Sequence, residues 1–393
     1  MNPRKISNAL AIAASVACFA SAASAQIVYL NKNGWFNPDG TSSKRFSVVA
    51  TGVCQVASGG ELRLAPGSYR EQLTISKPMT IKAESGTVTI GQTGQQRVPL
   101  RVVSYNTHLF GNPSIPGLPR FMDNERANWM IPSFVNENVV MNTDILGLQE
   151  VWDPAFWSLF AALSSYPSGF YGGDYGNGGD ILNSGLALFS KFSLQDTQQY
   201  AYQDQAGFDL FANKGFLHAR ITKGGIGIEI FLTHTQADDQ PAVRASQMSE
   251  LMTSIQLYRA ANPSNPTIVL GDFNVAGETA EYDGNMSNIM GGGASQRDVA
   301  RNMPCAGNQF LCTSCTYNGL HHCFYPDSTS NTRLDYILYA PSLNGTVDVI
   351  PKAYGRLDYE IPAGEPSMTC EGQTFRSLSD HYGVWAEFEL VRN

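Results

Sequence analysis

Carboxylate, amide and imidazole side chains recur along this chain at the ends of short apolar runs. Near the C-terminus, Asp380 and His381 stand together in the run Ser-Asp-His-Tyr-Gly. Far upstream, Asn106 lies in LRVVSYNTHLF and Glu150 lies in DILGLQEVWD. Three more runs carry residues of the same types, namely LTHTQA with His234, IVLGDFN with Asp272 and Asn274, and RLDYIL with Asp335. Hard oxygen ligands and a proton acceptor are what a divalent cation and a phosphate ester require. The set therefore predicts metal-assisted chemistry on a phosphate ester.

Glu150 is the first candidate for a metal ligand. A charged carboxylate at the end of an apolar strand loses hydration, which a cation or hydrogen bonds must compensate. Asn106 adds a neutral oxygen, and Mg²⁺ is typically held by one or two carboxylates together with water and substrate phosphate. The alternatives are a salt bridge for Glu150 and an Asx turn closing the strand for Asn106.

His381 is the candidate general base, because an unperturbed imidazole titrates near pH ~6.5 and accepts a proton at neutral pH. A neighbouring carboxylate would raise its pKa and fix its tautomer. Asp335 and Asp380 are both candidates for that carboxylate. Adjacent residues on a strand point to opposite faces, which favours Asp335. The alternative for His381 is a buried structural histidine.

The order and the residue sequences of these runs resemble those of the endonuclease/exonuclease/phosphatase superfamily, over roughly residues 98–391. The blocks LGLQEVWD, NKGFLHARI, LTHTQADD and RLDYIL, followed by SDHYGV, are similar to those of its bacterial sphingomyelinase branch. The alternation of strands with helical segments predicts an α+β sandwich with loops gathered at one rim. The resemblance implies the specific four-layer αββα arrangement of deoxyribonuclease I.

The resemblance also implies roles for the candidate residues. Metal ligands would be Glu150, Asn106 and Asp380; catalytic residues His381, His234, Asp335, Asp272 and Asn274; and phosphate-binding residues Asn213 and Lys214. Water deprotonated by His381 would attack phosphorus directly, since no nucleophilic Ser or Cys elbow is recognisable. The alternatives are a strand-closing turn for Asp272 and Asn274 and a solvated surface position for Lys214.

The first 25 residues predict a signal peptide. Arg4 and Lys5 precede an apolar run, and small residues precede a cleavage site after Ala25. The alternative is an uncleaved N-terminal anchor.

Cleavage of this signal peptide would change the net charge from −8 to −10, because Arg4 and Lys5 are the only charged residues removed. A basic stripe for nucleic acid is therefore not expected. We expect a secreted monomer, extracellular or periplasmic.

Cysteine usage agrees with export. Six cysteines follow the predicted cleavage site: Cys54, Cys305, Cys312, Cys315, Cys323 and Cys370. An even number in an oxidising compartment predicts disulfides. The Cys312-x2-Cys315 spacing also matches a zinc site, which is the alternative. We expect at least one of these two cysteines to pair with a more distant partner.

Residues 26–97 differ in sequence pattern from the rest and predict a small accessory module that is β-rich, with an all-β fold. Short runs that alternate apolar and polar residues are separated by Gly and Pro, which resembles the first rungs of a right-handed β-helix. The alternative is an all-β spacer. The polar stretch 92–97 is the predicted linker, and residues 98–393 form the predicted catalytic domain.

The sphingomyelinase resemblance implies hydrolysis of sphingomyelin to phosphocholine and ceramide at a phospholipid membrane surface, with Mg²⁺ (or Mn²⁺ or Co²⁺). Members of that branch carry an aromatic hairpin before the Ser-Asp-His motif, but the corresponding stretch 353–379 has no tryptophan. Its Tyr and Phe residues can serve at an interface instead, and the stretch 305–325 is a second candidate surface. The alternatives are a secreted Mg²⁺-dependent endonuclease acting on DNA, and a non-catalytic protein that binds a glycan or host surface.

Overall fold

The structure, a computed structural model, describes residues 26–36, 38–91, 93–110, 121–152, 155–164, 166–172, 183–289, 297–303 and 312–393. The predicted signal peptide and Cys305 lie outside the described residues. None of the helices in the described part of the chain is both long enough and apolar enough to cross a bilayer.

The N-terminal module consists of short parallel strands and one helix. Its elements are β1 Ile27–Leu30, α1 Val49–Gln55, β2 Glu61–Leu64, β3 Gly67–Tyr69, β4 Thr80–Ala83 and β5 Val88–Ile90. Strands β1, β2 and β4 form one parallel sheet, and β3 pairs with β5 in another. This parallel stacking is the geometry of β-helix rungs, but α1 shows that the predicted all-β composition of the module is wrong.

The sequence at the start of helix α1 has no N-capping residue, because the cap comes from elsewhere in the chain. The N-cap residue is Val48, whose side chain cannot accept a hydrogen bond. Instead, the Glu71 carboxylate accepts from the backbone N–H groups of Val49 at 2.6 Å and Ala50 at 2.9 Å. Val49 and Gly52 are buried, so packing against the strands holds the helix in place.

The remainder of the chain forms two six-stranded sheets with helices. The strands are β6 Gln96–Leu109, β7 Ile145–Val151, β8 Ser168–Tyr171, β9 Ala187–Ser190, β10 Gln195–Ala201, β11 Gly215–Lys223, β12 Ile226–His234, β13 Thr267–Asp272, β14 Arg297–Asp298, β15 Asp335–Ala340, β16 Val347–Leu357, β17 Met368–Cys370, β18 Gln373–Phe375 and β19 Gly383–Arg392. The helices are α2 Asp123–Val139, α3 Ala155–Ala162, α4 Pro241–Ala261, α5 Ala280–Asn285, α6 Val299–Asn302 and α7 Gly319–Phe324, with 3₁₀ turns at Gly207–Phe211 and Met286–Asn288.

The first sheet has the order β16-β19-β6-β7-β9-β8, and the second β10-β11-β12-β13-β15-β14. Strands β17 and β18 form a separate hairpin. Strand β6 begins at Gln96, inside the predicted linker, and pairs there with the last residues of β19. Helix α4 buries Met248, Leu251 and Ile255, which recur at helical spacing.

Successive side chains along each strand point alternately to the inner and the outer face of its sheet. On β6, Val102 lies in the core between the two sheets, whereas Val103 packs outward with Met130 of α2. On β12, Leu232 lies in the same inner core, whereas Phe231 packs outward in the cluster that contains α4. The layers are therefore helix, sheet, sheet, helix, and the predicted α+β αββα sandwich is confirmed.

Strand pairing brings the candidate residues to one rim of the sandwich. In the second sheet, His234 pairs with Asp272, and Asp272 pairs in turn with Asp335. In the first sheet, the parallel pairing of β6 with β7 aligns Asn106 with the residue before Glu150. Residues far apart in sequence thus meet because neighbouring strands end or begin at the same edge.

Candidate active site

His381 and Asp335 form a buried ion pair at this rim. The imidazole Nδ1 lies 2.8 Å from Asp335 Oδ2 and 3.8 Å from Asp272 Oδ2. Burial disfavours the imidazolium, but Asp335 and Asp272 outweigh burial and raise the pKa of His381 well above its usual range. The contact at Nδ1 leaves Nε2 as the nitrogen that can exchange a proton with a reactant.

Asn106 bridges the two sheets. Its Nδ2 donates at 3.0 Å both to Glu150 Oε1 and to Asp272 Oδ2. Its Oδ1 accepts the backbone N–H of His108 at 3.1 Å, which is an Asx-type turn. Burial, together with the neighbouring Asp335, raises the pKa of Asp272 to about 7. The buried carboxylates therefore lie close enough to repel one another.

Glu150 and Asp380 lie on either side of His108. The Nδ1 atom of His108 is 3.2 Å from Asp380 Oδ2 and 3.5 Å from Glu150 Oε2. Burial opposes charge on both partners, yet Asp380 and Glu150 raise the pKa of His108, and His108 holds the pKa of Asp380 below its usual range. Glu150 Oε2 is buried without a hydrogen-bond partner. An imidazolium at this point supplies part of the positive charge that these carboxylates need.

Lys214 and His234 form a second buried pair beside the carboxylates. Lys214 Nζ lies 3.0 Å from His234 Nε2 and 3.1 Å from Asp209 Oδ2. Burial, with Lys214 next in importance, lowers the pKa of His234 well below its usual range. His234 is therefore neutral, and because the ammonium can only donate, Nε2 accepts and the proton stands on Nδ1. The same Nε2 is 3.7 Å from both Glu150 Oε1 and Asp272 Oδ2.

Backbone strain is concentrated at this rim. His108, Glu150 and Asn274 have φ values of 50°, 54° and 49°, in the left-handed region that non-glycine residues rarely adopt. Gly271 has φ 150°, and a Cβ there would lie 2.0 Å from the Thr233 carbonyl oxygen. Only glycine fits, which explains the first residue of the Gly-Asp-Phe-Asn run. Asn274 then donates its backbone N–H to Asp272 Oδ1 at 2.9 Å.

The Cys312–Cys315 segment contacts both Asp335 and His381. Thr313 Oγ1 accepts the backbone N–H of Asp335 at 3.2 Å, and Ser314 forms a β-bridge with His381. The two cysteines are bonded to each other, with Cα atoms 5.7 Å apart. The expectation of a more distant partner for one of them is therefore wrong, because the turn brings the pair within disulfide range. Bonded sulfurs are also not thiolate ligands for zinc.

The predicted disulfide chemistry is otherwise confirmed by Cys323–Cys370, which joins α7 to the β17–β18 hairpin. Cys54 is disulfide-bonded as well. Phe324, next to Cys323 on α7, stacks on the His108 ring with centroids 4.4 Å apart. The bond therefore fixes a helix that contacts the site directly.

The stretch 353–379 does not offer its aromatic residues to an interface. Tyr354, Ile361 and Phe375 are all buried, and Tyr359 is half-buried against the core. The expectation that Tyr and Phe of this stretch serve at a membrane surface is therefore wrong. Its apolar residues complete the core beneath α2 and α7 instead.

Two features of the site were missed by sequence reasoning. His108 follows Asn106 by two residues, a spacing that places both on one face of a strand and is the available signal. Asp209 lies in the 3₁₀ turn Gly207–Phe211, and only the folded chain brings it to Lys214. Of the predicted residues, Asn213 is buried beside Lys214 with its Nδ2 unpartnered. The others lie in the contact network described above.

Comparison with known proteins now identifies the family. The Endonuclease/Exonuclease/phosphatase family pattern matches residues 103–381, which is more than half of the chain. The chain belongs to this family. The match ends on His381 and includes every candidate site residue, so the family resemblance is confirmed.

Among similar proteins, Sphingomyelinase C 2 of Leptospira interrogans is 24% identical over 315 residues, covering 75% of this chain and 47% of the relative. Sphingomyelinase C of Bacillus cereus is 25% identical and covers 75% of this chain and 90% of the relative. The chain thus spans about half the length of the Leptospira protein. A crystal structure of a Staphylococcus aureus beta toxin variant with bound magnesium ions has a TM-score of 0.55 at 20% identity, covering 73% of this chain and 98% of that one. This likeness supports the αββα fold.

Proposed function

We propose that this protein is a metal-dependent phosphodiesterase that hydrolyses sphingomyelin to phosphocholine and ceramide. The observation that supports it most is the Asp335–His381 pair facing a bridged carboxylate cluster at one rim. The Leptospira and Bacillus relatives, both called sphingomyelinase C, support the choice of substrate.

The rim has the chemistry of a divalent-cation site. Glu150 Oε2 and Asp335 Oδ1 are buried oxygens without hydrogen-bond partners. Such oxygens are the ligands that Mg²⁺ prefers, and the related beta toxin structure contains magnesium. Glu150 and Asp380 would hold the cation, with Asn106 hydrogen-bonded to Glu150 beside them. A bound cation would supply a Lewis acid for the phosphoryl oxygen and offset the repulsion among the carboxylates.

Side chains of the rim would carry out the proton transfer and the binding of the phosphate. Where the pH exceeds the raised pKa of His381, the imidazole is neutral, and Asp335 keeps its one proton on Nδ1 so that Nε2 can take a proton from water. The water oxygen forms a new bond to phosphorus while the bond from phosphorus to the ceramide oxygen breaks, and the released alcohol takes up a proton. Asn274 can donate a hydrogen bond to a non-bridging phosphate oxygen, while Lys214, whose three N–H groups reach His234, Asp209 and Thr235, holds His234 in place.

An exposed apolar pair beside the site is suited to a lipid surface. Leu210 and Phe211 are 58% and 40% exposed, in the same 3₁₀ turn that carries Asp209. Because Asp209 contacts Lys214, this turn lies next to the predicted phosphate-binding residues. Tyr317 and Tyr325, which flank α7, are 60% and 46% exposed. We propose that these residues meet the membrane while the headgroup enters between them.

The test is parallel incubation of the protein with sphingomyelin vesicles, phosphatidylcholine vesicles and plasmid DNA, each with Mg²⁺ and with chelator. We expect phosphocholine release from sphingomyelin that chelator abolishes. DNA nicking without phosphocholine release would instead support the endonuclease alternative. Absence of every activity would support the non-catalytic alternative.

A further inference from the structure

A cavity of about 450 Å³ lies where the N-terminal module meets the sandwich. The module contributes Lys32, Arg70 and Glu71, and the sandwich contributes Arg259, Arg297 and Asp348 among others. It opens at the end of β15, whereas Asp335 begins that strand. The cavity and the candidate active site are therefore separated by the length of β15, roughly 17 Å at ~3.4 Å per residue.

The cavity is cationic in an otherwise acidic protein. Four basic side chains line it against two acidic ones, whereas the whole chain has a net charge of −8. Asp348 is already paired with Arg70 at 2.5 Å. Both Glu71 oxygens accept backbone N–H groups of α1. Neither acidic residue therefore pairs directly with the remaining basic groups.

Two of the arginines are buried without a direct ion pair, and the charge of Arg297 acts on Glu71 only through space. Arg297 is 6% exposed and Arg259 is 1% exposed, and within the described ranges neither forms an ion pair with a carboxylate. Arg297 donates Nη2 to the Lys32 carbonyl at 2.5 Å, and its Nε has no partner. Arg259 donates to Thr267 Oγ1 and to a backbone carbonyl, and its Nε is also unpartnered. Burial alone lowers the pKa of Arg259 to about 10.

A buried guanidinium without a counter-ion is unfavourable, and an anion placed beside it restores the balance. Guanidinium groups bind carboxylate and phosphate through paired hydrogen bonds. The volume falls in the range of small-molecule sites, which often form between domains. Ser68, Asn33 and the Tyr69 ring line the wall and suit a hydroxylated ligand.

We propose that this cavity binds a sugar-sized organic anion, a carboxylate or phosphate carried on a hydroxylated ring, with Arg297 and Lys32 as its principal contacts. The site is distinct from the phosphodiesterase centre and gives the N-terminal module a ligand-binding role.

The probes are glucuronate and glucose 6-phosphate, with glucose as the neutral control, titrated calorimetrically into the full chain. We expect at least one anion to bind and glucose not to bind. The two anions distinguish a carboxylate site from a phosphate site. Failure of both anions to bind overturns the proposal.

Variants locate the binding site. Arg297→Gln should lower the anion affinity at least about tenfold, since it removes a charge-assisted contact. Lys32→Gln, at an exposed position where the fold is not at risk, should also weaken binding. Arg63→Gln, on the module but outside the cavity, should leave it unchanged. If Glu150→Gln abolishes binding while Arg297→Gln and Lys32→Gln retain it, the anion binds at the active-site rim and the proposal is wrong. That outcome leaves the proposed phosphodiesterase function untouched.

Discussion

At the scale of single residues, the site contains several buried carboxylates, and neighbouring imidazoles offset the repulsion among them. Asp272, Asp335 and Asp380 are each at most 3% exposed. Two imidazoles, His108 and His381, lie against them. Removing one partner of such a network leaves an uncompensated charge, so substitutions here affect chemistry and local order together.

His381→Ala should reduce phosphocholine release at least about a hundredfold, because a general base contributes roughly 10²–10⁴ in rate. Release from sphingomyelin vesicles is the measurement, and circular dichroism checks that the fold is retained. His322→Ala, which changes an imidazole outside the catalytic network, is the matched control. Parental turnover by His381→Ala would show that another group deprotonates the water.

Glu150→Gln should weaken Mg²⁺ or Mn²⁺ binding at least about tenfold, because the amide has the shape of the carboxylate without its charge. Titration calorimetry measures the affinity directly, independently of turnover. Glu365→Gln, at an exposed position, controls for the general loss of one negative charge. Equal metal affinity in Glu150→Gln and the parent would remove Glu150 from the ligand set.

At the scale of elements, short segments outside the sheets complete the site. The 3₁₀ turn Gly207–Phe211 carries Asp209 to Lys214 and exposes Leu210 and Phe211. Helix α7 is fixed by the Cys323–Cys370 bond and stacks Phe324 on His108. Most of the candidate catalytic groups thus lie on or beside the strands, and these short segments lie around them.

Leu210→Ser should lower hydrolysis of sphingomyelin in vesicles while leaving hydrolysis of a soluble phosphodiester unchanged. The physical reason is the loss of apolar area that enters the lipid, about 25 cal/mol per Å². Leu343→Ser is the matched control, since Leu343 is 53% exposed but lies by the cavity at the opposite rim. An equal loss in both assays, or in both variants, would contradict a lipid-facing role for the turn.

At the scale of the whole molecule, the N-terminal module is joined to the sandwich by polar contacts. Ser47 donates to Asn302 Oδ1 at 2.8 Å, and Arg97 donates to the Arg70 carbonyl at 2.6 Å. Glu71 stands at this junction as the cap of α1. Burial raises the pKa of Glu71 to about 6, although the two backbone N–H groups oppose the shift.

Glu71 should make stability depend on pH. Because its folded pKa exceeds the ordinary value of 4.5, its stabilising contribution is complete below pH 4.5 and is lost as pH rises through about 6. The loss is about 2 kcal/mol for a shift of this size. Urea unfolding between pH 4.5 and 7.5 should therefore show a smaller decline in Glu71→Gln than in the parent. Identical declines in both proteins would show that Glu71 titrates normally.

The sequence alone predicted an α+β sandwich and most of the polar residues at the rim, because an apolar run next to a polar residue is a local signature. Its resemblance to the family implied the αββα arrangement. Asn106, Glu150 and Asp272 follow apolar runs, Asp335 precedes one, and His381 stands in the Ser-Asp-His run. Their metal-binding and catalytic roles stay predictions.

Only the tertiary structure decided which of these groups touch, because contacts between the sheets depend on register and packing rather than on spacing along the chain. It brought His108 between Glu150 and Asp380, joined Cys312 to Cys315, and buried the aromatic residues of the stretch 353–379. It also capped α1 with Glu71, a residue 22 positions after Val49. Long-range hydrogen bonds and burial have no local signature, so no reading of one segment at a time could supply them.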